Sequence, residues 1–221
     1  MNDKRISIFL GHFGSGKSEV AVNFAMSIAR SNNMTAIADL DIVNPFFKTA
    51  DAINALQDKG IKTVVPMLVN TNSEVSTLTS EINTLFENKA YNVVLDLGGD
   101  DLGAKILARY MEDLRNNECE FFMVINTRRN NTSTPDKIIR MLDEIQGSGC
   151  LKITKLVNNT NILNETNIGV IREGMEIISK VSDFTKIPVA FTSIMKNLES
   201  DIETDSQNKY LIMDKYIKLP F

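Results

Sequence analysis

Residues 11–18 read Gly-His-Phe-Gly-Ser-Gly-Lys-Ser, and this octet constrains the fold more than any other part of the chain. It fits the pattern GxxxxGK[ST]. Such a loop must be fed by a strand and must open a helix if its backbone N–H groups are to converge on an anion. The flanks supply both. Residues 6–10 (Ile-Ser-Ile-Phe-Leu) form an apolar strand-like run, and beyond Ser18 the apolar residues Val20, Phe24 and Ile28 recur at four-residue steps. With Gly at about 7% of residues, the pattern arises by chance in roughly 1% of chains or fewer, before the flanks are considered.

The rest of the chain repeats this alternation. Strand candidates fall at 35–39, 63–66, 93–96, 121–126, 152–158 and 188–192, and helical periodicity falls at 73–86, 137–145 and 166–181. Several strand runs are continuously apolar, which suits strands covered on both faces. The alternation predicts a three-layer α/β fold with a mostly parallel central sheet of about seven strands and right-handed crossovers. Residues 210–221 read as an added edge strand or a packed tail. One domain spanning 1–221 is expected, without repeats or a long linker.

Composition narrows the function classes. Net charge is −4, so the electrostatic footprint of a general nucleic-acid binder is missing and no nucleic-acid partner is expected. No apolar run approaches ~18 residues, so no membrane span is expected. The N-terminal apolar run is too short for a signal peptide. Cys119 and Cys150 stand far apart with no CxxC, which leaves one disulfide open but suggests no zinc site. A cytoplasmic location is expected.

The octet supplies a phosphate site. The backbone of Gly11, Phe13, Gly14, Ser15 and Gly16 would cradle phosphate oxygens, with the positive end of the helix behind them. Lys17 would reach the β- and γ-phosphates, and the Ser18 hydroxyl would ligate Mg²⁺. Magnesium chemistry needs carboxylates nearby, and two strands end in Asp. Val-Val-Leu-Asp closes at Asp96, a candidate metal ligand, and the N–H of Gly99 three residues on can meet a γ-phosphate. Ala-Ile-Ala-Asp-Leu-Asp supplies Asp41 as a second metal-side acid and as the group that orients or deprotonates the attacking water, with Asp39 in support.

These motifs together resemble the SIMIBI class of P-loop NTPases. Within it they look like the MinD/ParA/Mrp/CobQ-type nucleotide-binding domains and the nitrogenase iron protein. GHFGSGKSE, DLDIVNPFF and DLGGDDLGA are also similar to a bacterial ATP-binding branch of the same organisation. The resemblance implies ATP with Mg²⁺, Asp41 as the water-activating acid and Asp96 as the Walker B acid. It also implies an Asn at the end of a late strand that reads adenine, Asn159 first and Asn158 second, and Pro188 in a segment flanking the base. One position departs from the pattern. His12 stands where the MinD/ParA group carries a Lys that crosses a dimer to the partner's phosphates, so a homodimer stays open. Arg128 and Arg129 can supply that charge or be a solvated loop pair. The leading expectation is an ATPase switch acting on an unknown protein partner, with metalloenzyme maturation suggested by fold analogy. A small-molecule kinase or ATP-dependent ligase is the alternative, and a non-catalytic nucleotide-binding module is a further one.

Overall fold

The structure is a computed structural model that describes residues 4–31, 33–40, 52–65, 72–98, 109–149, 152–202 and 208–217, the side chains of 72–79 and 149 aside. Its centre is an eight-stranded sheet. The strands are β1 (Ile6–Leu10), β2 (Thr35–Asp39), β3 (Lys62–Val64), β4 (Asn92–Asp96), β5 (Cys119–Ile125), β6 (Lys155–Asn158), β7 (Val189–Met195) and β8 (Tyr210–Met213). They run in the order β3-β2-β4-β1-β5-β6-β7-β8, every neighbour parallel. The helices are α1 (Lys17–Ala29), α2 (Ile53–Gln57), α3 (Asn72–Glu87), α4 (Met111–Arg115), α5 (Pro135–Gly149) and α6 (Ile168–Thr185).

Alternation along β1 shows why its sequence is continuously apolar. Ile6, Ile8 and Leu10 face a core shared with α3, α4, α5 and α6, while Phe9 faces a second core built on α1. In that second core Phe9, Phe24, Phe122 and Phe191 pack as an aromatic group, with Phe9 and Phe122 stacked at 4.9 Å between ring centroids. The segment expected to be an edge strand or a tail is an edge strand, so the sheet has eight strands rather than about seven. Leu211 and Met213 of β8 are buried against the α1 core.

Helix α1 is buried nearly all round because the C-terminal segment closes over it. The Glu19 carboxylate accepts the backbone N–H of Tyr216 at 2.7 Å and of Ile217 at 3.1 Å. The Asn23 amide exchanges two hydrogen bonds with the backbone of Asp214, at 3.0 and 2.9 Å. The segment after β8 therefore holds the helix that opens with Lys17 and Ser18.

Candidate functional site

Strand β1 ends at Leu10, and the octet turns directly into α1. Two glycines make that turn. Gly16 is the N-cap of α1 at φ 79°, and no side chain caps the helix, which leaves its first-turn N–H groups facing outward. Gly14 also has positive φ, at 78°. Both positions are tightly covered. A Cβ on Gly16 would lie 2.3 Å from Asn159 Nδ2, and one on Gly14 would lie 3.2 Å from Arg129 Nε. Lys17 and Ser18 are buried at the head of α1, and the buried Ser15 Oγ has no hydrogen-bond partner among the described residues. An uncapped helix start, a glycine cradle and an orphaned hydroxyl fit a phosphate-bearing ligand.

The acidic side lies to the left of β1 in the sheet order. Asp39 pairs in register with Asp96, and Asp96 with Phe9. Phe9 belongs to the α1 core, so alternation along β2 and β4 turns both carboxylates toward α1. Both are 0% exposed. Residues in register on adjacent strands sit about 5 Å apart. If both are ionised they repel by about 3 kcal/mol at an effective dielectric of about 20, so the pair calls for positive charge nearby. Lys17 and a divalent cation are the species that suit it. The register thus brings Asp39, expected only in support of Asp41, directly beside Asp96. Asp41 and Gly99 lie outside the described residues, as do Asp100, Asp101 and Cys150. Among the described residues no three His, Cys, Asp or Glu converge on one point, so a cation here would draw on Ser18 and the two aspartates.

To the right of β1 the loops after β5 and β6 lean on the glycine loop, with Ser193 of β7 behind Asn159. Asn159 Nδ2 donates to the carbonyl of Ser15 at 2.6 Å, and its Oδ1 accepts the Ser193 hydroxyl at 2.5 Å. Arg129 Nε donates to the carbonyl of Gly14 at 2.9 Å. The Asn131 amide donates to His12 Nε2 at 3.2 Å, which places the ring proton on Nδ1, facing the carbonyl of Phe13 at 3.2 Å. Arg128 is drawn the other way, into an ion pair with Glu173.

Three sequence expectations change here. Asn158 does not open toward a base. It is wholly buried, its amide donating to Ile171 O at 3.4 Å and its Oδ1 accepting from Thr160 N at 3.1 Å. Pro188 precedes the first residue of β7 and its carbonyl accepts from Leu156 N at 2.9 Å, so it sits at the sheet edge opposite the glycine loop. Asn159 is at the site, but its amide spans Ser15 and Ser193. The sequence passed over Ser193, Asn131 and Asn126, because nothing local marks a serine inside an apolar strand as a partner for an asparagine 34 positions away. Phe13 stands out at 63% exposure on the rim of the loop. Cys119 lies at the other edge of the sheet, its thiol donating to Leu114 O and pushed up by burial to about 11.

No family model matches the chain, and no curated protein matches it. Solved structures do. FtsY from Mycoplasma mycoides superposes with a TM-score of 0.55 at 16% identity, over 87% of this chain and 61% of that one. Chloroplast FtsY from Physcomitrella patens gives 0.57 at 16% identity, over 87% and 59%. The signal recognition particle 54 kDa protein from Aeropyrum pernix, in complex with GDP, gives 0.56 at 15% identity, over 87% and 42%. The chain spans about three fifths of the FtsY structures it matches. At these identities the likeness is one of architecture alone, an α/β P-loop fold with a parallel sheet flanked by helices.

Proposed function

We propose that this chain is a magnesium-dependent nucleoside-triphosphate hydrolase that works as a switch on a protein partner, with ATP as its nucleotide. The observation that carries the reading is the register pairing of two buried carboxylates, Asp39 and Asp96, on the face of the sheet covered by α1, the helix that opens with the buried Lys17 and Ser18. Ser18 and Asp96 would hold Mg²⁺, with Asp39 beside them. Bound there, the ion would neutralise charge on the phosphate oxygens. The chain's own part is positioning. The first-turn N–H groups of α1 and the backbone of residues 13–16 bind phosphate oxygens, and Lys17 places its ammonium on the β- and γ-phosphates. Asp41 would orient the attacking water, and Gly99 would meet the γ-phosphate, so that the loops following Asp41 and Asp96 respond to its presence.

The choice of ATP rests on the sequence resemblance and on the loop after β6. Guanine presents its N1–H and N2 amine, a pair of donors best met by a carboxylate. The loop runs Asn159-Thr160-Asn161-Ile162-Leu163-Asn164, with no acid before Glu165. The neighbouring 54 kDa protein was solved with GDP, so ATP and GTP belong in the same assay. Phosphate release should require magnesium and fall at least 100-fold in Lys17→Ala. Turnover that survives Lys17→Ala would refute the reading. Asp41→Ala should bind ATP yet hydrolyse it far more slowly, and that variant is the one with which to capture the partner.

A further inference from the structure

The two loops to the right of β1, after β5 and after β6, form one connected unit. Asn126, just after β5, joins them. Its Nδ2 donates to Asn161 O at 3.0 Å, and its Oδ1 accepts from Arg128 N at 3.0 Å and Asn161 N at 3.3 Å. Its carbonyl accepts from Arg129 N at 3.1 Å and from the Thr132 hydroxyl at 2.6 Å. Two kinds of surface are therefore fixed side by side on this rim. One is the guanidinium of Arg129, laid against the glycine loop through Nε, with Nη1 and Nη2 making no hydrogen bond to a described residue. The other is apolar. Ile162 and Leu163 are 37% and 55% exposed, and Leu163 is held at φ 57°, a conformation unusual for a branched side chain.

The direction of a bound triphosphate decides what this rim meets. The carboxylate pair that suits a metal ion stands on β2 and β4, to one side of β1, and Arg129, Asn161, Ile162 and Leu163 follow β5 and β6 on the other. A triphosphate seated along the loop, with its terminal phosphate toward Asp96, points its nucleoside toward Arg129. Building on the nucleotide reading above, we propose that Arg129 is the stacking face of the nucleobase seat, with Ile162 and Leu163 as its apolar side. A planar guanidinium held by one edge exposes its face, and purines stack well on such a face. Contact of this kind does not read the hydrogen-bonding edge of the base. It differs from a lysine reaching the phosphates from position 12, because it acts on the base and within one chain.

The test compares magnesium ATP with magnesium ribose 5-triphosphate, which keeps the sugar and phosphates without the base. Dissociation constants come from ligand-dependent thermal protection of wild type, Arg129→Ala, Arg129→Lys and Lys17→Ala. Arg129→Lys keeps a donor for Gly14 O but loses the planar face. Stacking of a base is worth about 1–3 kcal/mol, or roughly 5- to 150-fold. Arg129→Lys should therefore bind ATP at least fivefold more weakly and leave ribose 5-triphosphate within twofold of wild type, whereas Arg129→Ala, which also drops the bond to Gly14 O, should weaken both ligands and ATP the more. Equal weakening of both ligands in Arg129→Lys would make the residue a phosphate or loop-holding group and overturn the proposal, as would unchanged ATP affinity. A wild-type protein that binds neither ligand, indistinguishable from Lys17→Ala, would overturn the nucleotide reading on which this one rests.

Discussion

Gly16 and Asn159 collide if either is changed alone in the wrong way, and a double-mutant cycle measures that contact. In Gly16→Ala the new residue must hold φ 79°, a left-handed conformation that costs an L-residue about 1–2 kcal/mol. Its Cβ would also lie 2.3 Å from Asn159 Nδ2, an atom that cannot retreat without releasing its 2.6 Å bond to Ser15 O. That release adds about 1–2 kcal/mol. Asn159→Ala alone removes the bonds to Ser15 and Ser193 and costs about 1–3 kcal/mol. In the double variant the collision is gone, so only the strain and the lost bonds remain. The two changes should then be less than additive by about 1–2 kcal/mol. With a urea slope of about 2 kcal/mol per molar, that is a midpoint roughly 0.5–1 M higher than the sum of the single variants allows. Urea unfolding of the four proteins, without nucleotide, reads it. Additivity within about 0.5 kcal/mol would show that Asn159 does not cover Gly16, and the account of the loop's right-hand wall would fail. The same geometry sets an expectation for binding. Because Asn159 holds the loop itself, Asn159→Ala should weaken ATP and GTP alike, whereas a pure adenine reader would weaken ATP more.

Arg5 closes the end of α3. Its guanidinium donates to the carbonyls of Leu85 (3.0 Å), Phe86 (3.0 Å) and Tyr91 (3.1 Å), and to Asn117 Oδ1. Arg5→Met should lower unfolding free energy by about 2 kcal/mol, with little dependence on salt; a loss under about 0.5 kcal/mol would contradict the capping role. Burial raises the Cys119 thiol from 9.0 to about 11. At pH 8 its thiolate fraction is then about 100-fold below that of an ordinary thiol. In a Cys150→Ser background, Cys119 should react with a disulfide reagent that much more slowly until the protein unfolds, and a rate within tenfold of glutathione would refute the burial argument. Burial also outweighs the hydrogen bonds from Tyr216 and Ile217 and raises the Glu19 carboxyl above 4.5. A raised folded value means the protonated form is favoured in the fold. The contribution of Glu19 is thus full below about pH 4.5 and declines as pH rises through the folded value. The stability gap between wild type and Glu19→Gln should narrow from pH 4 to pH 7, and a widening gap would reverse the sign.

Much of the fold is legible from local pattern, and the failures have local causes. β1 and β2 match their apolar runs because both faces are buried. β6 starts at Lys155 rather than 152 because the Thr154 hydroxyl takes the place of a ladder group, accepting from Phe121 N at 2.9 Å. β7 runs past 192 to Met195 because Ser193, Ile194 and Met195 pair with Leu211, Ile212 and Met213, a partner no window around β7 contains. The left half of the site was readable for the same reason as the strands. Asp39 and Asp96 are the last residues of runs whose ends the pattern marks, and register brings them together. The right half was not readable. Asn159 was noticed as a strand-end amide, but its work on Ser15 and Ser193 depends on contacts that composition and spacing do not encode.

That asymmetry follows from how the loop is held. The bonds that shape it join residues 115 apart at Gly14–Arg129 and 144 apart at Ser15–Asn159, and the helix behind it is held across 198 residues at Glu19–Ile217. Glycines at positions 14 and 16 make the turn possible but leave it with many conformations. Closing loops of that length costs entropy that is recovered only when the distant strands are in place. The glycine loop therefore acquires its shape together with β5, β6 and β7, while α1 is seated by the segment after β8. A disturbance at the C-terminal edge reaches Lys17 and Ser18 through Glu19, one residue away along the helix. The loop is thus a short motif in sequence and a global property of the sheet in structure.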